Sequence, residues 1–266
     1  REGLEAALVL GVTFGVLNRL RRTELAPSAW LGIGVAVVVS VVAALLLFSV
    51  GAELEGRAEQ IFEGLTLLLA AGLLTWMILW LGAHGRSMQL GLEREVEQAA
   101  LTRQASAIFL VAFLAVVREG IETALFLSAA AFQDGQARVV AGGLAGIATS
   151  CVLGWLLYRA TIRLNLRRFF QLTGFVLILF AAGLFSHAVG EFVEAGFLPA
   201  LLDPAWNTTA YLSEASFLGS LARTVFGYSA EPTLLEVLAY AFYFAGVWVM
   251  LRWIRGRGPA PVMAAG

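Results

Sequence analysis

Lysine is absent from this sequence, and all eighteen basic residues are arginine, so every positive side chain stays charged at any accessible pH. An arginine that is buried must therefore find a counter-charge. Cysteine occurs once, as Cys151 in an apolar run, which excludes an internal disulfide and a cysteine-based metal cluster and leaves a small packing residue. Charge of either sign is scarce: 14% of the 266 residues are charged, and a net charge of −1 offers no basic surface. That excludes nucleic acid as a partner, because binding phosphate needs one.

What fills the chain instead is hydrocarbon. With 59% hydrophobic residues and a mean hydropathy of +0.82, a lipid bilayer is the expected solvent. A crossing helix needs about 20 mostly apolar residues, and six segments qualify: 29–50, 61–81, 105–131, 139–158, 169–189 and 234–254. A seventh opens the chain from Gly3 to Leu17. Its abrupt start at Arg1-Glu2 predicts a further apolar half-turn or more ahead of it, and it lacks the basic region and cleavage site of a signal peptide. The expected fold is an all-α integral membrane protein with seven transmembrane helices in a single domain, residues 1–254, followed by a tail at 255–266.

The arginines orient it, because positive residues are retained on the cytoplasmic side. Arg19, Arg21, Arg22, Arg86, Arg94, Arg103, Arg159, Arg163, Arg167, Arg168, Arg252, Arg255 and Arg257 share one side of the predicted spans, against Arg57, Arg138 and Arg223 on the other. The N-terminus is therefore expected outside and the C-terminal tail inside. The opposite loops carry Glu53, Glu55, Glu59, Asp134, Glu191, Glu194, Asp203, Glu214 and Glu231. Such a face concentrates cations, although acidic loops also arise with no function. Residues 86–104 place Met88, Leu92, Val96 and Ala99 at helical spacing among charges, predicting a helix that lies on the cytoplasmic surface. His84 is expected solvated at the inner end of the third span. The stretch 195–232, with Pro199, Pro204 and Pro232, predicts an external loop with short helical pieces.

One motif recurs. Arg1-Glu2-Gly3-Leu4-Glu5-Ala6-Ala7-Leu8 returns as Arg118-Glu119-Gly120-Ile121-Glu122-Thr123-Ala124-Leu125, 117 residues later, and Ala70-Ala71-Gly72-Leu73 returns as Ala181-Ala182-Gly183-Leu184, 111 residues later. Two tandem three-helix units must have opposite orientation, because an odd number of crossings reverses the chain. The pattern predicts a 3+3 inverted repeat, units at about 1–82 and 105–190, then an external loop at about 191–233 and an appended helix at about 234–254. The first and fourth spans would bring their motifs together near the midplane.

Within each motif the glutamates are three residues apart, hence on one helix face. A charge at the bilayer centre costs roughly 3 kcal/mol on insertion scales, so six are tolerable only if they pair, face a cavity or bind a cation. Arg1 reaches Glu5 and Arg118 reaches Glu122 one turn on, which leaves Glu2 and Glu119 less compensated. Together Glu2, Glu5, Glu119 and Glu122 are candidate metal ligands, with Arg1 and Arg118 balancing charge. Their hard oxygens suit a hard cation such as Fe3+, whereas Zn2+ or Cu+ would favour His or Cys. Three other readings stay open: arginine–glutamate pairs that only lock two helices together, a permease for another cation such as Mn2+ or Pb2+, and a membrane di-iron oxidoreductase. Sites of the last kind usually pair Glu-x-x-His motifs, and no histidine lies near these. His187, Glu191 and Glu194 share a face at i, i+4 and i+7, and with Glu63 they form a possible entry path or simply end their helices in polar residues.

Arg-Glu-Gly-Leu-Glu at the start and its repeat in the fourth span resemble the hallmark of the oxidase-dependent iron transporter family of iron permeases. Phe62-Glu63-Gly64, Leu74-Thr75-Trp76-Met77, Ile162-Arg163-Leu164-Asn165-Leu166, Ala181-Ala182-Gly183-Leu184, Glu194-Ala195-Gly196 and Phe226-Gly227-Tyr228 extend the likeness over residues 1–254. The resemblance implies a permease rather than an enzyme, importing Fe3+ or Fe2+ with high affinity across the cytoplasmic (inner) membrane. Iron is then substrate rather than cofactor, and Glu2, Glu5, Glu119 and Glu122 are its ligands. It also implies an extracytoplasmic oxidase or iron-delivery partner. Ile121 replaces the usual leucine, and Val193 stands where some relatives are expected to have histidine.

Overall fold

The computed structural model describes residues 1–101, 104–158, 166–214 and 216–256. Helices account for most of them: α1 (Glu2–Arg19), a 3-10 turn (Thr23–Leu25), α2 (Ala26–Glu53), α3 (Arg57–Leu101), α4 (Ala105–Asp134), α5 (Gln136–Tyr158), α6 (Leu166–Glu194), α7 (Phe217–Phe226) and α8 (Leu234–Gly256). Pro27 stands in the first turn of α2, where its missing N–H costs nothing. Gly56 at φ +60° and Gly135 at φ +82° make the turns into α3 and α5, in backbone conformations that L side chains rarely adopt. A reciprocal cap opens α8: the Thr233 amide donates to Glu236 Oε2 at 2.7 Å, and the Glu236 amide donates to Thr233 Oγ1 at 3.3 Å.

Among the described residues, five stretches are long and apolar enough to cross a membrane: Thr23–Glu53, Arg57–Trp80, Ala137–Leu156, Leu172–Glu194 and Leu234–Trp253. They match five of the predicted spans. α1 and α4 are excluded from that group by charge: α1 holds Glu2, Glu5 and Arg19, and every eighteen-residue window of α4 contains Arg118, Glu119 and Glu122.

Close contacts fix the relative directions of the helices. Gly3 meets Ser150, and Ala7 meets Gly154 one turn on, so α1 and α5 run parallel. Gly32 meets Phe109, and Gly120 meets Ser40, so α2 and α4 also run parallel. Gly64 meets Phe192 while Gly174 meets Ile78, so α3 and α6 run antiparallel. Gly190 meets Glu236 while Phe185, five residues earlier, packs on Tyr243, so α8 runs antiparallel to α6, and Ser186 Oγ donates to the Glu236 carbonyl at 2.9 Å between them.

Two apolar cores result. One joins Val16 and Leu17 of α1, Ala29, Ile33 and Ala36 of α2, Val96 and Ala100 of α3, and Ile108, Ala112 and Val116 of α4. The other joins Leu67, Ala71, Leu74 and Met77 of α3 with Ala129 of α4 and Ala181, Leu184 and Ala188 of α6. Along α4 they lie on either side of Glu119 and Glu122.

Two expectations change. Residues 86–104 do not form a separate surface helix: α3 runs unbroken to Leu101, and Val96 and Ala100 are fully buried in the first core. The apolar face read as lipid-seeking is a protein-packing face. The side chains of His84, Met88 and Leu92 lie outside the described residues, as do Arg103, Arg159, Ile162 to Asn165 and the tail from Arg257. The stretch between α6 and α8 contains the helical piece α7 but does not stay beyond the helix ends. Gly227 is packed against Gly183, eleven residues back from Glu194 and so about 16 Å down α6.

Candidate metal centre

The motif on α1 occupies its first turn, and the motif on α4 sits at that helix's middle, Glu119 being fourteen residues from Ala105 and fifteen from Asp134. At 1.5 Å per residue, about 21 Å of helix extends either way, which is the depth of a site halfway through a bilayer. Glu119 and Glu122 are buried at 4% and 8% exposure, and Glu5 at 9%.

Carboxylate oxygens of Glu2, Glu119 and Glu122 all lie within 4.8 Å of one another. On each of the three, Oε2 is buried and has no hydrogen-bond partner among the described residues. A buried carboxylate oxygen without a partner normally costs a few kcal/mol, so three neighbouring carboxylates that each hold one are a candidate cation site. Glu5 stands outside this trio, its Oε1 2.9 Å from Arg1 Nε, close enough for an ion pair though not aligned as a hydrogen bond. Arg118 Nε donates to Glu122 Oε1 at 3.1 Å and lies 3.8 Å from Glu119 Oε1, while its guanidinium rests over the Trp80 ring. Glu122 thus gives one oxygen to arginine and keeps the other free. With every group ionised, four glutamates and two arginines leave a formal charge of −2.

Away from this trio, Glu63 of α3 faces Glu59 and Glu194, and Glu191 of α6 faces Glu63, Glu194, Glu59 and Glu236. These like charges repel one another, and Gln60 Nε2 donates to one of them, Glu194 Oε2, at 3.4 Å. His187 is tied to its own helix, Nδ1 lying 2.9 Å from the Gly183 carbonyl, and has Arg223, Glu236 and Glu214 for charged neighbours. The residues read as an entry path therefore form one acidic patch with His187 beside it. Glu236 belongs to this patch and went unread in the sequence. Its signal was present in Thr233-x-x-Glu236, the spacing of a helix-opening cap.

Comparison with known proteins places this geometry in context. The family model described as the Iron permease FTR1 family matches residues 1–254. The ferrous iron permease EfeU of Escherichia coli O6:K15:H31 (strain 536) is 34% identical over 245 residues, covering 91% of this chain and 89% of that protein. EfeU of Yersinia pestis is 33% identical over 245 residues, covering 91% and 87%. The protein of Escherichia coli K12 named a putative inactive ferrous iron permease EfeU is likewise 34% identical over 245 residues. No solved structure matches the chain.

Proposed function

Because this chain belongs to the iron permease FTR1 family, we propose that it imports ferrous iron across the cytoplasmic membrane, binding the ion midway at Glu2, Glu119 and Glu122. The observation that carries this reading is the trio of glutamates whose carboxylates lie within 4.8 Å of one another and each hold a buried oxygen with no partner among the described residues. Oxygen ligands suit a hard or borderline divalent ion. A divalent ion also cancels the formal −2 of the motif residues, whereas a trivalent one would leave an uncompensated positive charge in the bilayer. The names of the EfeU relatives support Fe2+ as well.

In this reading seven helices cross the membrane, α1 and α4 included, since their charges face one another rather than lipid. The recurrent motif supports an inverted repeat with α8 appended, and so does the equivalence of the α1–α5 and α4–α2 crossings, each of them parallel. Iron arrives from the N-terminal, extracytoplasmic side, drawn by the patch of Glu63, Glu191 and Glu194 beside His187, and an oxidase or iron-delivery protein on that side sets its valence. Arg1 holds Glu5 and Arg118 holds Glu122 until the ion competes for the carboxylates, and rocking of the two repeats then opens the inner side.

The test is uptake of radioactive iron into proteoliposomes, with Fe2+ and Fe3+ presented separately, for the wild type, Glu2→Gln and Glu119→Gln. Glutamine keeps the shape and removes the charge. Fe2+ uptake should fall about 100-fold or more in either variant, beyond the 10- to 100-fold that loss of a mere supporting partner costs a metal site. Undiminished uptake in well-folded variants would return the motif to structural pairing and move the ion's route to Glu63 and Glu191.

A further inference from the structure

The glycine between the two glutamates of each motif has no ligand to offer, yet a side chain on it would collide with a neighbouring helix. A Cβ on Gly120 would stand 2.6 Å from Ser40 Cβ and run into Ser40 Oγ. A Cβ on Gly3 would stand 2.7 Å from both Cβ and Oγ of Ser150. Neither serine bonds across the gap: Ser40 Oγ donates to the Ala36 carbonyl at 2.8 Å and Ser150 Oγ to the Gly146 carbonyl at 3.0 Å, each within its own helix. Both contacts are therefore steric stops between helices. Each joins the motif helix of one half to the second helix of the other, α4 to α2 and α1 to α5.

We propose that Gly3 and Gly120 are positioning residues, whose contacts with Ser150 and Ser40 set the separation at which the carboxylates of Glu2, Glu119 and Glu122 converge on the ion. This rests on the metal-site reading above. Gly120 adjoins Glu119 and is two residues from Glu122, and Gly3 stands likewise to Glu2 and Glu5. Carbon atoms settle at about 3.5–4.0 Å, so a methyl group at either glycine forces its helix outward by about 1 Å. Metal–ligand distances tolerate only about 0.2 Å. The motif therefore needs glycine at its centre for the same reason that it needs its glutamates.

The experiment measures Fe2+ uptake kinetics in proteoliposomes and Fe2+ affinity in detergent for Gly120→Ala, Gly120→Ala with Ser40→Ala, and Gly120→Ala with Ser40→Gly, alongside Glu119→Gln. Gly120→Ala should raise KM and weaken affinity at least about tenfold, as expected for the loss of a supporting contact. Ser40→Ala removes only Oγ and should restore part of this, while Ser40→Gly removes both clashing atoms and should restore affinity to within about twofold. If Gly120→Ala fails to insert, the Ser40→Gly double variant carries the test alone and should insert and bind. An unchanged KM in Gly120→Ala, or no recovery with Ser40→Gly, would overturn the positioning role while Glu119→Gln stays inactive. Normal transport by Glu119→Gln would instead sink the carboxylate site itself.

Discussion

Thr13 carries a hydroxyl that no described residue uses. Ser40, Thr66, Thr75, Thr123, Ser128, Thr149 and Ser150 each donate to the carbonyl four residues back in their helices. Thr13, at 1% exposure, has no partner for Oγ1 among the described residues. Leaving such a group unmade costs about 1–3 kcal/mol, so Thr13→Val should raise unfolding stability in detergent by about 1 kcal/mol while Fe2+ uptake stays at the wild-type rate. Thr13 is eleven residues past Glu2, almost in line with it on the helix face, about 16 Å further along α1. A variant that gained stability and lost uptake would make that hydroxyl a station on the inward route. At this scale the sequence was legible in kind but not in detail. Spacing put Glu119 and Glu122 on one face, and reach paired Arg1 with Glu5. Which oxygens remain free depends on how a guanidinium divides itself, and Arg118 divides between Glu119 and Glu122, so Glu122 shares the open site that reach alone gave to Glu2 and Glu119.

Among the elements, hydropathy placed the apolar helices to within a few residues, because length and composition suffice for that. It failed where a partner distant in sequence decides. α3 continues to Leu101 because Val96, Ala99 and Ala100 find α1, α2 and α4 to pack on, and no local pattern announces those partners. The elbow after α7 is a similar case. Ser216 caps the start of α7, its Oγ accepting from the Gly219 amide at 3.0 Å, and Gly227 ends it at φ +66°. That much Gly227 shares with any helix-ending glycine. What the sequence hides is that Gly227 is pressed against Gly183 with no room for a side chain. Two substitutions separate these demands. Gly56, at φ +60° with open space around it, should cost about 1–2 kcal/mol when changed to alanine, the conformational term alone. Gly227→Ala should cost clearly more, because α7 must also move away from α6. Thermal unfolding of the two variants side by side checks the order, and equal losses would mean that the Gly183 contact is loose.

For the molecule as a whole, the contacts between helices bear on their relative directions, and the arginine distribution carries the expectation of how they sit in the membrane. The close contacts set α1 parallel to α5 and α2 parallel to α4, and α6 antiparallel to both α3 and α8. A chain that crosses at every long helix requires each of these relations. The arginines predict which side is which. The turn that holds Glu55 between α2 and α3 is expected outside, and the continuation of α3 that holds Arg94 inside. Both residues are exposed, and the single native cysteine, Cys151, is exposed on α5, so a Cys151→Ala background makes labelling clean. In spheroplasts, a membrane-impermeant maleimide should modify Glu55→Cys at once and Arg94→Cys only after lysis. The opposite result would invert the molecule in its membrane. The acidic patch of Glu63, Glu191 and Glu194 would then face the cytoplasm, and a carboxylate route of the same geometry would be filled from within, as export of iron requires.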